Sequence, residues 1–225
     1  MSRQISPPSQ FAIDTLNGFL QTHSGLMLKQ RKEWTEIITK FETKNKYEIL
    51  DPMGQTIGAM AEVSGGFKGH LIRLITRSHR PLDISIVDQN VKLVARLQRK
   101  FFWFFSDLNI FASDGSFIGS IHRRFGIFHK KYDLMDNNQF IFAQIKSSIF
   151  RLWTFKIFDL RGRQVGVISK KWQGFLKEGF TDADMFGVDL SHSEWDAVKK
   201  LIVFCAAISI DFDFFEENQG LRGGD

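Results

Sequence analysis

Apolar and polar residues alternate along most of the chain in short runs, separated by Asp, Asn and Gly. The clearest runs are ILDPMGQTIGAM from Ile49, IFASDGSFIGSI from Ile110 and IFDLRGRQVGVI from Ile157. Each has an apolar pair, a turn containing Gly, then an apolar residue followed by a second Gly. Two looser copies, VDQNVKLVARL from Val87 and MDNNQFIFAQI from Met135, keep the Asp turn but carry Ala95 and Ala143 in place of that second Gly. The small residue therefore recurs at Gly58, Ala95, Gly119, Ala143 and Gly166, the last four spaced 24, 24 and 23 apart. Turn chemistry flanked by period-two alternation predicts β-hairpins, and a repeat of five predicts about ten strands. A small residue at a fixed place in each second strand marks either a close approach by something packed against the sheet or a β-bulge.

Near the C-terminus the period changes. Ser191 and Glu194 fit a capping box, and from Leu201 the pattern is apolar on every side: Leu201, Ile202, Val203, Phe204, Cys205, Ala206, Ala207, Ile208 and Ile210. A helix of that kind must be buried all round, and in an all-β chain a closed barrel offers the place while removing exposed sheet edges. Asp211 and Asp213 are expected to mark its exit, with Phe212, Phe214 and Phe215 following as a short strand-like run. The fold class predicted is mainly β, a closed antiparallel barrel around a buried C-terminal helix. Its expected extent is 25–217, after an N-terminal segment 1–24 that is helical or flexible and before a tail at 218–225. The ten apolar residues Leu201–Ile210 make about 15 Å of helix, half of a hydrocarbon core of about 30 Å.

Composition narrows the class. Hydrophobic residues at 43% against 24% charged, with 4 Pro in 225 residues, describe an ordered globular chain. The single cysteine, Cys205, excludes an internal disulfide and cysteine-based zinc sites and fits a reducing compartment. Residues 1 to 20 hold no apolar run of signal-peptide length, so a cytoplasmic location is expected. Charge is split along the chain: Val63–Lys131 holds twelve Lys/Arg and four Asp, whereas Leu176–Asp225 holds four Lys/Arg and eleven Asp/Glu. A basic middle suits an anionic partner, lipid headgroup or nucleic acid. The six histidines show no metal-ligand spacing, and neither a phosphate-cradling loop nor a nucleophile elbow is present, so an enzyme is not expected.

The stretch VISKKWQGFLKEGFTDADMFGVDL (Val167–Leu190), followed by AVKKLIVFCAAISIDFDFFE (Ala197–Glu216), resembles the C-terminal signature of the phospholipid scramblase family, and FETKNKYEI (Phe41–Ile49) is similar to that family's early segment. The resemblance implies a tubby-like barrel of twelve strands around a hydrophobic C-terminal helix. It also implies calcium-stimulated, ATP-independent, bidirectional movement of phospholipids, by a peripheral protein at the inner face of the cell membrane. The alternatives are a non-catalytic lipid- or phosphoinositide-binding module and, behind it, a nucleic-acid-binding regulator; a homo-oligomer is a further possible partner. The palmitoylated cysteine cluster of eukaryotic members is replaced here by RKFFWFFSD from Arg99.

The resemblance implies a Ca2+ site at Asp182, Asp184, Phe186, Val188 and Asp189. Read as an EF-hand-like loop, Asp182, Asp184 and Gly187 match positions one, three and six, while Phe186, Leu190 and Ser193 fail at five, nine and twelve. The candidate lipid contacts are Arg99, Lys100, Arg123, Arg124, Lys130, Lys131, Lys170 and Lys171, cations next to aromatics and expected on outer hairpin faces. Phe102 and Phe104 join them, because alternation through FFWFF sends Phe101, Trp103 and Phe105 to the core side and these two outward.

Overall fold

The computed structural model describes residues 7–20, 23–30, 46–62, 81–100, 107–126, 129–148, 153–170, 185–191 and 193–214. They form helix α1 (Gln10–Leu20), strands β1 (Gly25–Gln30), β2 (Lys46–Leu50), β3 (Thr56–Glu62), β4 (Leu82–Asp88), β5 (Leu93–Arg99), β6 (Asp107–Ala112), β7 (Phe117–Arg124), β8 (His129–Asp136), β9 (Ile141–Ser148), β10 (Thr154–Asp159), β11 (Gln164–Ser169) and β12 (Met185–Asp189), and helix α2 (Ala197–Phe214). Every strand pairs antiparallel with its sequence neighbours, and β1 closes the barrel against β12 with Leu26 opposite Val188 and Leu28 opposite Phe186.

The five hairpins are those the repeat announces. In four of them the leading aspartate (Asp51, Asp88, Asp136, Asp159) accepts at Oδ1 from the backbone N–H groups two and four residues on, at 2.8–2.9 Å, which replaces water on donors the turn would otherwise expose. The β6–β7 turn uses Asp114 instead, which accepts from Ser116. The turn's last residue is left-handed: Gly54, Gly115 and Gly162 adopt it freely, but Val91 sits at φ 62°, a conformation costing a side-chain-bearing residue roughly 1–2 kcal/mol.

Pairing slips by one residue in each hairpin, between Ile49/Leu50, Ile86/Val87, Ile110/Phe111, Leu134/Met135 and Ile157/Phe158. The extra residues are Ile57, Val94, Ile118, Phe142 and Val165, each just before the recurrent small one, so bulge and close approach occur together. A Cβ on Gly119 would lie 2.5 Å from Ile202 Cδ1 of α2 and 2.5 Å from the Met135 carbonyl oxygen. One on Gly58 would meet Phe19 of α1 at 2.9 Å, and one on Gly166 the Asp189 carbonyl oxygen at 2.5 Å. The small positions thus share one neighbour, a backbone carbonyl oxygen of the adjacent strand (Val87, Met135 or Asp189), and two of them also make room for a helix side chain, Phe19 of α1 or Ile202 of α2.

That helix fills the barrel. Leu201, Ile202, Val203, Phe204, Cys205, Ala206, Ala207, Ile208 and Ile210 are all buried, at 0–1% exposure, among inward residues of the strands. Burial pushes the Cys205 thiol well above its usual range. α1 covers the end where the five hairpin turns lie: Ala12, Leu16 and Leu20 join the same core, and the Ser9 N–H donates to Asp114 Oδ2 at 2.8 Å. No helix among the described residues is long and apolar enough to cross a membrane.

Two details of α2 differ from expectation. The cap is Asp196, whose Oδ1 accepts from the Lys199 N–H at 2.8 Å; Ser191 instead donates its hydroxyl to Asp189. The helix also runs past Asp211 to Phe214, and Asp211 and Asp213 are buried rather than at an exit. Inward-facing polar groups on the strands make this possible.

Candidate functional site

The strands deliver charge to the rim opposite the hairpin turns, where α2 ends. Arg99 closes β5 opposite Leu82 and Leu108, both core residues, so it points into the barrel. Its Nη1 donates to Asp213 Oδ1 at 3.1 Å, with the two side chains 1% and 0% exposed. The Tyr132 hydroxyl donates to the other oxygen of Asp213 at 2.9 Å, and the Tyr47 hydroxyl donates to Asp211 Oδ2 at 2.8 Å. A helix C-terminus carries partial negative charge, and two carboxylates there require cations and hydroxyl donors around them. Burial, reinforced by the Asp213 charge, pushes the Tyr132 hydroxyl well above its usual range.

Arg123 stands opposite Tyr132 across β7 and β8, on the same inward side. Lys130 is inward as well, its Nζ 5.8 Å from the centroid of the buried Phe155 ring. Burial and the Arg123 charge hold the Lys130 ammonium below its usual range, against the opposing pull of Asp213. Three of the expected outer lipid contacts, Arg99, Arg123 and Lys130, therefore face the interior. Each belongs to a pair of neighbouring cations on one strand or its end, and alternation sends one of a pair in when the other goes out. Lys170 is corrected too: it is 8% exposed, with its Nζ 5.3 Å from the Phe186 ring centroid and 5.7 Å from that of Trp153.

Lys100 is exposed at the same rim, while Arg124 and Lys131 stand opposite each other on the outer face of β7 and β8. Phe102, Phe104, Lys171, Asp182 and Asp184 lie outside the described residues. Of the remaining expected calcium ligands, Phe186 and Val188 turn their side chains into the core. Asp189 accepts at Oδ1 from the Ser191 N–H and hydroxyl. Among the described residues no group of three His, Cys, Asp or Glu gathers that could hold a metal ion.

Two residues at this rim escape a reading by sequence neighbourhood. Lys131 on β8 is directly opposite Lys146 on β9, and Lys146 is directly opposite Lys156 on β10. Only the pairing of one hairpin with the next juxtaposes them. At the same rim Phe125 and Trp153 are 75% and 41% exposed, immediately past the end of β7 and before the start of β10, and the Trp153 ring centroid lies 5.7 Å from the Lys170 Nζ.

The barrel, its filled interior and this rim can be set against known proteins. A family model described as Scramblase matches residues 4–217. A phospholipid scramblase family protein of Schizosaccharomyces pombe is 24% identical over 87% of this chain and 60% of its own length. Phospholipid scramblase 1 of Mus musculus is 29% identical over 88% of this chain and 64% of its own length. Phospholipid scramblase family member 5 of Homo sapiens is 27% identical over 86% of this chain and 74% of its own length. The chain thus spans about three fifths of the length of the first two relatives. With every described element inside the matched region, the chain belongs to the phospholipid scramblase family.

Proposed function

We propose that this protein works at the inner face of the cell membrane as a peripheral protein that promotes calcium-stimulated, ATP-independent, bidirectional movement of phospholipids. The observation that carries the reading is the family match over residues 4–217. The exposed aromatics Phe125 and Trp153 at the rim, together with the outward cations of the wall, support it, since amphipathic side chains of this kind suit an interface between hydrocarbon and headgroups. The interior of the barrel is filled by α2, so lipid does not pass through it; any transbilayer movement runs along the outside of the protein, without a covalent intermediate. Calcium acts here through Asp182, Asp184 and Asp189 as an incomplete ligand set, with affinity in the range of about 10⁻⁴–10⁻³ M that weak sites show.

The filled barrel favours a second reading, a lipid-binding module that docks without moving lipid. Both are tested by reconstituting the full chain with phosphatidylcholine vesicles containing an anionic lipid, and measuring bound protein and leaflet exchange of a labelled lipid with and without calcium. Exchange that rises with calcium supports transport, and Asp182→Asn with Asp184→Asn then removes the rise. Binding without exchange supports the module. A chain that binds no vesicles but retains nucleic acid overturns both.

A further inference from the structure

Charges on the outer wall of the barrel are mostly neutralised in pairs. Arg96 donates to both oxygens of Asp83 at 2.7 and 2.6 Å, His122 lies 2.8 Å from its cross-strand partner Asp107, and Arg124 is 2.7 Å from Asp133. The row Lys131–Lys146–Lys156 breaks that rule. Directly opposed residues on adjacent strands have Cβ atoms about 4.5–5.5 Å apart, and like charges so placed are destabilising. No carboxylate among the described residues forms an ion pair with any of the three. The carboxylate two residues along the same face of β8, Asp133, is committed to Arg124 and also accepts from Gln144 Nε2 at 2.8 Å. Lys146 has its Nζ 5.4 Å from the Phe158 ring centroid, which leaves its charge unneutralised. Lys146 and Lys156 are exposed and Lys131 is half-buried.

We infer that the three lysines form a docking site for a phosphate monoester headgroup in an anionic membrane, approached with Phe125 and Trp153 at the bilayer interface. This rests on the membrane reading above and gives it a location. A monoester phosphate carries about −1.5 to −2 charges and three acceptor oxygens, so it can take donors from adjacent lysines at once and offset their mutual repulsion. A diester headgroup phosphate brings a single charge. The lysine stems, long and flexible, let the ammonium groups converge on one phosphate although their strands are about 4.8 Å apart. The exposed aromatics of the rim commit the site to a lipid source rather than a free anion: Phe125 opens the connection after β7 and Trp153 closes the one before β10, both at the rim toward which the row lies, and exposed rings there lower their free energy by entering the interface.

The test is co-sedimentation of the full chain with phosphatidylcholine vesicles carrying phosphatidic acid, or phosphatidylserine at matched surface charge. Two charge-matched triple variants are compared, Lys131→Ala/Lys146→Ala/Lys156→Ala and a control at the turn end, Lys92→Ala/Arg161→Ala/Arg163→Ala. At roughly a fivefold effect per cation near an anionic surface, the row variant loses about a hundredfold in affinity for phosphatidic acid vesicles while the control changes less than a few fold. Its melting temperature stays at or above that of the parent. Equal loss in both variants, or none in the row variant while the parent binds, overturns the site and leaves the membrane reading standing. Equal parental binding to the two anionic lipids overturns the monoester preference. Competition by inorganic phosphate as effective as by vesicles overturns the lipid source. A parent that binds neither vesicle overturns the membrane reading itself.

Discussion

Lys130 and Lys131 are consecutive in the chain, yet one faces a closed interior and the other an open wall, and the two faces of that rim handle charge in opposite ways. Inside, Asp213 is bonded to Arg99 and to Tyr132, and Asp211 to Tyr47. Outside, Lys131, Lys146 and Lys156 stand opposite one another with no carboxylate paired to them among the described residues. A buried charge without a partner loses several kcal/mol of solvation, so the interior holds its carboxylates against cations and hydroxyl donors. An exposed charge keeps its water, so the wall can hold a repulsive row at a few tenths of a kcal/mol per pair. Charge inside the barrel therefore reports on stability, and charge on the wall reports on what binds there.

The sharpest way to break this contrast is to place a charge where the interior offers no partner. Ala207→Asp in the buried middle of α2 should yield no soluble, cooperatively melting protein, because a penalty of several kcal/mol is comparable to the stability of a whole domain of about 5–15 kcal/mol; circular dichroism melts decide it. Asp213→Ala is next. It removes the Asp213 carboxylate from the buried Arg99 and should cost about 3–5 kcal/mol by denaturant unfolding, whereas replacing the exposed Asp114 should cost far less. Gly119→Ala tests the fit of wall to helix rather than charge: the new methyl collides with Ile202 and the Met135 carbonyl, and roughly 1–3 kcal/mol of destabilisation is expected, relieved in part by Ile202→Val. The smallest effect lies outside. Lys131→Glu creates an opposite-charge pair with Lys146 and should stabilise by about 0.2–1 kcal/mol, while vesicle binding falls. Destabilisation by that substitution would mean the row is held by contacts of the lysines themselves, and the contrast between the two faces would fail.

The hairpins were legible because their determinants are local. An Asp whose carboxylate reaches the N–H groups two and four residues on folds a turn by itself, and Ile49, Ile110 and Ile157 begin copies that need nothing distant to be recognised. The buried helix was legible for a similar reason, since nine apolar positions from Leu201 to Ile210 have only one environment that suits them. The direction of each cation was not. Each hairpin carries a bulge that resets the alternation between turn and strand, and His122-Arg123-Arg124 looks like a uniform basic tip until Arg123 is paired with Tyr132. The cap at Asp196 was obscured because Ser191 and Glu194 also satisfy a capping pattern three residues apart.

What the sequence by itself determined, then, is the five hairpins and an apolar helix that must be buried, which follow from short-range chemistry, and the family, which follows from residue motifs. What only the tertiary structure decided is where charge ends up. Asp213 meets Arg99 across 114 residues, and Lys131, Lys146 and Lys156 come from three strands. Such meetings depend on strand register, which the barrel fixes by burying one face of every strand at once and which no single segment of the chain can specify.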